Sequence, residues 1–148
     1  KVILNTGGGI LNMMKSSSES NFLILNPDTV WNKNYIKYIK NMEKFYFSNE
    51  VKNILLLVKK NLSFDKKLKG DFNLIENKIR KDDQNNLIYT GCQIINKDVF
   101  KLHTINNFSI SEIWNELIHK NELYGYESAE NFCHLTSLAV YNEILKNK

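Results

Sequence analysis

Short apolar runs and helical periodicities alternate along this chain, and together they predict a domain of strands and helices. Continuous apolar runs, which are typical of strands covered on both faces, occur at residues 22–26, 54–58 and 87–95. Between the first two runs, apolar residues recur at helical spacing over residues 32–46. Strands that alternate with helices predict an α/β fold with a Rossmann-like, largely parallel sheet and helices on both faces.

Shorter signals predict the remaining elements. A hairpin with strands at 72–75 and 78–80, turning at Glu76-Asn77, would add a small antiparallel extension. Helices are predicted over 111–120, with Ser109 or Ser111 as the N-cap, and after Ser137 to residue 145. A strand end at 2–4, a short helix at 9–15, and strands at 123–127 and 132–135 complete the prediction.

Composition narrows the class of protein. The 148 residues, 43% of them hydrophobic, suit one domain spanning 1–148. The net charge is +4, but Arg80 is the only arginine, and bidentate contacts to phosphates and bases favour arginine, so we expect no nucleic-acid partner. Cys92 and Cys133 form no zinc pattern or disulfide framework, so we expect a reducing cytoplasm. No apolar run approaches the roughly 20 residues of a membrane span, so no membrane is expected.

Glycine and proline, of which the chain has six and one, cluster at the predicted strand ends. Gly7, Gly8 and Gly9 stand between a predicted strand end and a helix, where bare backbone amides and the helix dipole can accept a flat ring or a phosphate. The alternative is a tight turn without a ligand, since the spacing is neither GxGxxG nor a P-loop.

Several polar residues lie within or near the predicted strands. Asp28, after the strand at 22–26, can hold Mg²⁺ together with substrate phosphates, or can cap the next helix. The segments KGDF (69–72) and YTG (89–91) can bond hydroxyl groups or form ordinary turns. His134 is either a hydrogen-bonded structural group or a ligand, whereas His103 and His119 are expected in solvent. No Ser/His/Asp, HExxH or CxxC pattern supports a hydrolase.

The order of the motifs carries a resemblance over the whole chain. The motifs are NTGGG, LILNPDTVW, KGDF, IYTGCQII, FSISEIW, YGYES and FCHLTS. In this order the chain resembles the sugar-1-phosphate nucleotidyltransferases, most closely the N-acetylmuramate-1-phosphate uridylyltransferase-like and mannose-1-phosphate guanylyltransferase-like branch. The resemblance implies Mg²⁺-dependent transfer from a nucleoside triphosphate, UTP or GTP, to a sugar 1-phosphate, with release of pyrophosphate.

The resemblance also implies roles for matching residues. Asp28 would be the catalytic, metal-binding aspartate. The nucleobase and ribose would lie against Thr6, Gly7, Gly8 and Gly9. The sugar side would be formed by Gly70, Asp71, Thr90, Gly91 and His134.

Two departures from the family pattern leave alternatives open. His134 stands where much of the family has a second metal-binding aspartate, and since imidazole suits Mg²⁺ poorly, His134 would contact substrate or order its loop. The glycine-rich, basic phosphate-binding signature is absent, so we expect a domain that lacks its N-terminal segment, is inactive by itself, and associates through exposed apolar edges. The oligomeric state of the whole protein stays open.

The second hypothesis is a non-catalytic nucleotide-sugar-binding or regulatory module of the same fold. A third is an interaction domain without a small ligand.

Overall fold

A computed structural model of the protein describes residues 3–146, in which a mixed sheet carries helices on both faces. Its elements are α1 (Asn5–Met14), β1 (Asn21–Leu25), α2 (Tyr35–Ser48), β2 (Asn53–Lys59), β3 (Asn73–Ile75), β4 (Lys78–Arg80), β5 (Leu87–Asn96), α3 (Ile110–His119), β6 (Tyr124–Ser128) and α4 (Leu138–Lys146). Two 3-10 helices, Lys60–Leu62 and Lys97–Phe100, follow β2 and β5.

Strand direction differs from the sequence expectation. The described strands form one six-stranded sheet in the order β1-β5-β2-β6-β4-β3. Within residues 3–146, β2 and β6 pair in parallel, whereas the other paired strands are antiparallel. The prediction of a mostly parallel sheet was wrong because an apolar run reports burial on two faces, which helices above and below the sheet impose whatever the strand direction.

The core has two layers, one on each face of the sheet. Successive side chains of a strand point to opposite faces. Leu55 and Leu57 of β2 therefore pack with α1 and α3, and Ile54 and Leu56 pack with α2. The fully covered strand predicted at 54–58 is thus confirmed.

Edge strand β1 differs from that expectation. It pairs with β5 alone in the described sheet, and the side chains of Leu23 and Leu25 are 48% and 45% exposed. The prediction that this apolar run is covered on both faces was therefore wrong.

Local signals located other elements correctly. Glu76 and Asn77 have φ values of 50° and 61°, as a two-residue turn of the predicted hairpin requires. Ser109 caps α3 in a capping box with Glu112. The Ser137 hydroxyl accepts a hydrogen bond from the Val140 amide at 3.3 Å near the start of α4.

Near both ends of the chain the structure differs from the sequence expectation. Of the strand end predicted at 2–4, residue 2 lies outside the described residues, and Leu4 is the N-cap of α1. The strand predicted at 132–135 is reduced to isolated bridges, which join Thr29 to His134 and Ser63 to Phe132. No helix in the described part of the chain combines the length and apolar character needed to cross a membrane.

Candidate active site

Most of the residues singled out in the sequence converge at one end of the sheet. β1 ends beside the middle of β5, where Leu25 pairs with Cys92. β2 and β6 end side by side, since Val58 pairs with Ser128. Three cavities open at this end, and each of them is lined in part by Tyr89.

The largest of the three, the apolar cavity, has a volume of about 460 Å³ and lies between α1, β1, β5 and α3. Thr6 and Gly9 line it on the α1 side, and Tyr89 and Trp114 form an aromatic wall. The two rings lie 4.8 Å apart at 72°, edge to face. Such a wall suits a flat, largely apolar ring.

Two smaller crevices adjoin the apolar cavity. The histidine crevice, about 230 Å³, is lined by Asp71, Thr90, Gly91 and His134 among others. The lysine crevice, about 270 Å³, is lined by Gly70, Asp71, Lys81, Asn115 and others. All five predicted sugar-side residues therefore face one or both crevices.

The glycine run occupies a helix and not a loop. α1 begins at Asn5, and the amides of Gly7 and Gly8 donate to the Phe108 carbonyl at 3.0 and 3.2 Å. A Cβ at Gly7 would lie 2.4 Å from the Phe108 ring, and one at Gly8 would lie 2.0 Å from the Asn106 carbonyl oxygen. These two glycines therefore serve close packing, and the prediction of an open loop was wrong because the contact comes from a segment distant in sequence.

Of the four residues expected at the nucleobase and ribose, Thr6 and Gly9 line the apolar cavity. No heavy atom lies within 4 Å of the position that a Gly9 Cβ would take. The Thr6 hydroxyl accepts from the Ile110 amide at 3.1 Å, so this side chain also ties α1 to the start of α3. Their contact with a nucleobase stays a prediction.

An irregularity in β5 shapes the histidine crevice. Leu55 pairs with Gln93 but Leu57 pairs with Tyr89, so β5 carries extra residues opposite Leu56. Within this bulge Gly91 has a φ of 87°, and its carbonyl accepts from the Asn26 amide at 2.8 Å. A Cβ at Gly91 would meet the Asn26 Cβ at 2.6 Å, so glycine is required there for two reasons.

Thr90 is buried beside Gly91, and its hydroxyl donates to the Leu56 carbonyl at 2.9 Å. The carbonyl of Thr90 accepts from the Thr29 hydroxyl at 2.8 Å. Its side chain thus stabilises the bulge, whereas a contact with a sugar hydroxyl remains a prediction.

Asp28 lies beside His134, which lines the histidine crevice. The Leu135 amide donates to the Asp28 carbonyl at 2.8 Å, which fixes the two segments side by side. Oδ1 of Asp28 lies 3.6 Å from Nδ1 of His134, and this buried nitrogen has no hydrogen-bond partner. The imidazole stacks on Phe132 at 6.0 Å.

One of these two side chains, Asp28, fits part of a magnesium site. The described residues contain no group of three or more His, Cys, Asp or Glu side chains placed to hold a metal. The Asp28 side chain is 50% exposed, and a single carboxylate of this kind suits Mg²⁺ that takes its other ligands from water and substrate phosphates. The imidazole of His134 is a poor Mg²⁺ ligand, so Asp28 is the side chain that fits the ion.

Asp71 joins the two crevices. Its Oδ2 accepts from the Tyr89 amide at 2.9 Å, which fixes the carboxylate at the start of β5. Much of the residue is exposed, but its carboxylate lies in the crevices, and desolvation there raises the pKa of Asp71, opposed by the Tyr89 hydrogen bond and the Lys81 charge. Gly70 precedes it because a Cβ would lie 2.1 Å from the Asn85 carbonyl oxygen.

Sequence reasoning missed Gln93 and Trp114 as parts of this site, and it named Tyr89 only as part of the segment YTG. Gln93 carried a usable signal, since a polar residue within an otherwise apolar buried strand needs a partner. Tyr89 and Trp114 are indistinguishable in sequence from ordinary core aromatics. Their place in the wall depends on which faces of β5 and α3 meet.

Comparison with solved structures identifies the fold of this chain. Neither a protein-family profile nor a curated protein sequence matches the chain. Among solved structures, the inositol-1-phosphate CTP transferase from T. maritima superposes with a TM-score of 0.76 at 16% identity, over 97% of this chain and 60% of that one. A UDP-glucose pyrophosphorylase complexed with UDP-glucose gives 0.72 at 16% identity, over 98% and 64%.

A putative glucose-1-phosphate thymidylyltransferase from Bacillus anthracis gives a TM-score of 0.70 at 13% identity, over 97% of this chain and 61% of its own. The chain has the fold of the sugar-1-phosphate nucleotidyltransferases. It spans roughly three fifths of the length of these structures, with shares of 60%, 64% and 61%. The resemblance seen in the sequence is thus confirmed for the nucleotidyltransferase fold, while the uridylyltransferase-like or guanylyltransferase-like branch stays a prediction.

Proposed function

We propose that this chain belongs to an enzyme that transfers a nucleotidyl group from UTP or GTP to a sugar 1-phosphate, giving a nucleotide sugar and pyrophosphate. One observation carries the proposal. Thr6 and Gly9, expected at the nucleotide, and Asp71, Gly91 and His134, expected at the sugar, line adjoining cavities at one end of a nucleotidyltransferase fold.

The chemistry needs positioning and charge neutralisation. An oxygen of the sugar phosphate attacks the α-phosphorus in line, the bond to pyrophosphate breaks, and pyrophosphate leaves. The edge-to-face wall of Tyr89 and Trp114 would orient the base, and the fixed carboxylate of Asp71 would accept a hydrogen bond from a sugar hydroxyl. No covalent nucleophile is required.

The remaining requirement is to neutralise the negative charge of the reacting phosphates. Asp28 would hold Mg²⁺, which when bound supplies the charge neutralisation that brings two phosphate groups together. His134, with its unpartnered Nδ1 3.6 Å from Asp28, would position that carboxylate.

Nucleotide binding is tested first. Thermal-shift titrations with UTP, GTP, CTP and nucleotide sugars, with and without Mg²⁺, are made on this chain and on the full-length gene product. A Mg²⁺-dependent shift for one nucleotide, and pyrophosphate release with a sugar 1-phosphate, support the proposal, because a ligand that binds the folded state raises its melting temperature. Binding without pyrophosphate release indicates the non-catalytic module instead, and no shift with any nucleotide overturns both.

Asp28→Asn tests the metal role in the full-length protein. We expect a loss of turnover of roughly 100-fold or more, because a bound metal ion contributes several kcal/mol of charge stabilisation. The melting temperature should stay unchanged, since this side chain is half exposed. Asp83→Asn, a carboxylate in the exposed loop between β4 and β5, is the matched control and should keep full activity. Normal turnover in Asp28→Asn would remove Asp28 from the site.

A further inference from the structure

Gln93 is a buried polar side chain in the wall of the apolar cavity. It lies in the middle of β5 and is 1% exposed. Its Oε1 accepts two hydrogen bonds, from Nδ2 of Asn53 and from Nε1 of Trp114, both at 3.2 Å. A buried amide held in this way has a defined orientation.

The two partners fix which end of the amide meets the cavity. The NH₂ group of Asn53 and the indole N–H of Trp114 can only donate, so the atom between them must be the oxygen of Gln93. Asn53 is itself held, since its Nδ2 also donates to the Ile94 carbonyl at 3.1 Å. The Trp114 ring is packed edge to face against Phe72 and Tyr89. The Nε2 end of Gln93 therefore cannot exchange places with the oxygen. Since Oε1 already accepts two hydrogen bonds, Nε2 is the end of the amide left to bind a ligand in the cavity that Gln93 lines.

Under the function proposed above, the apolar cavity binds a nucleobase. A fixed donor in its wall then distinguishes between bases. Uracil and guanine carry a carbonyl oxygen at the ring position where cytosine and adenine carry an amino group. A fixed N–H donor pairs with the carbonyl but faces the amino group donor to donor, which leaves both without a partner.

We propose that Gln93 selects the base, and that the apolar cavity takes nucleotides with a carbonyl-bearing base in preference to those with an amino-bearing one. The proteins with similar folds include a CTP transferase and a UDP-glucose pyrophosphorylase. The fold itself thus does not set the base, and the side chains that line the cavity must do so.

Binding titrations on the full-length protein with Mg²⁺ test this proposal, using the pairs UTP and CTP, and GTP and ATP. In the wild type, we expect one of the two pairs to bind more tightly. Within that pair, the Kd of the carbonyl-bearing nucleotide should be about ten-fold or more below that of the amino-bearing nucleotide, because the amino group leaves the buried Gln93 donor without a partner. Gln93→Glu keeps the oxygen that Asn53 and Trp114 need and replaces the donor with an acceptor. In that variant the preference should disappear or reverse.

Gln84→Glu is the matched control, because Gln84 lies in the exposed loop between β4 and β5 and its substitution should leave the preference unchanged. If Gln93→Glu does not fold, Gln93→Met, which removes the donor without adding a charge, should bind both members of a pair equally. Equal wild-type affinities, a preference for CTP or ATP, or an unchanged preference in the Gln93 variants overturns the inference. In those cases nucleotide binding still supports the proposed function, whereas failure of all four nucleotides to bind overturns both.

Discussion

At the scale of single residues, the buried Tyr35 and the partly buried Tyr89 carry hydroxyl groups in opposite situations. The Tyr89 hydroxyl is buried without a hydrogen-bond partner, whereas the Tyr35 hydroxyl donates to the Asn131 carbonyl at 3.0 Å. Burial raises the pKa of Tyr35 to about 12, and it raises the pKa of Tyr89 as well. Both hydroxyls therefore stay protonated at neutral pH, but only one has a use in the ligand-free fold.

Tyr89→Phe and Tyr35→Phe form a matched pair. Without ligand, we expect Tyr89→Phe to keep or raise the free energy of unfolding, because it removes a buried group with no partner. Tyr35→Phe should lower it by about 1 kcal/mol, the usual net value of one hydrogen bond. Urea unfolding of both variants measures the difference. If both variants lose the same free energy of unfolding, the Tyr89 hydroxyl has a hydrogen-bond partner in the ligand-free protein. It is then not left unpaired beside the three cavities.

At the scale of elements, α1 contains three glycines with different surroundings. Gly9→Ala should stabilise the protein by about 0.5–1 kcal/mol, because alanine is the better helix former and its Cβ meets open space. Gly8→Ala should destabilise it, since the new Cβ would lie 2.0 Å from a backbone oxygen of Asn106 that cannot rotate away. Thermal unfolding of the two variants makes the comparison. A stabilising Gly8→Ala would mean that the 106–108 segment does not pack on α1.

The elements also show which features of the fold could be predicted from the sequence. The turn at Glu76-Asn77 and the capping box at Ser109 depend on neighbouring residues, so they could be predicted. The start of α1 depends on the Phe108 carbonyl, and strand direction depends on pairing across the whole chain, so neither could. For the site, Asp28 could be singled out because it follows the strand β1, whereas Asp71, Gly91 and His134 were implied by the resemblance. The wall formed by Tyr89, Gln93 and Trp114 depends on how α3 packs against β5.

At the scale of the whole molecule, the sheet ends in an apolar edge. Leu23 and Leu25 of β1 are about half exposed, and β1 pairs on one side only in the described sheet. Such an edge is a template for pairing with another chain. We therefore expect this chain by itself to associate as its concentration rises, as light scattering coupled to size-exclusion chromatography would show.

Leu23→Lys or Leu25→Lys should reduce that association, because a charged side chain on an edge strand opposes pairing with another strand. Leu102→Lys is the control, since Leu102 is 90% exposed but lies outside the strands of the sheet. A monodisperse monomer at every concentration would show that the β1 edge is protected. Equal effects of all three lysines would point to general solubility and not to the edge.

The strand order has a consequence for how the chain folds as it is synthesised. β1 pairs with β5, and β2 pairs with β5 and β6, so both early strands wait for partners that begin at Leu87 or later. When β2 has just been completed, the strands with which β1 and β2 pair in the described sheet have not yet been synthesised. Because these pairings join residues distant in sequence, β1 and β2 can pair with β5 only after α2 and the β3–β4 hairpin have been synthesised. The ribosome-bound chain therefore exposes its most apolar strands during the interval before β5 emerges, when chaperone binding or aggregation competes with folding.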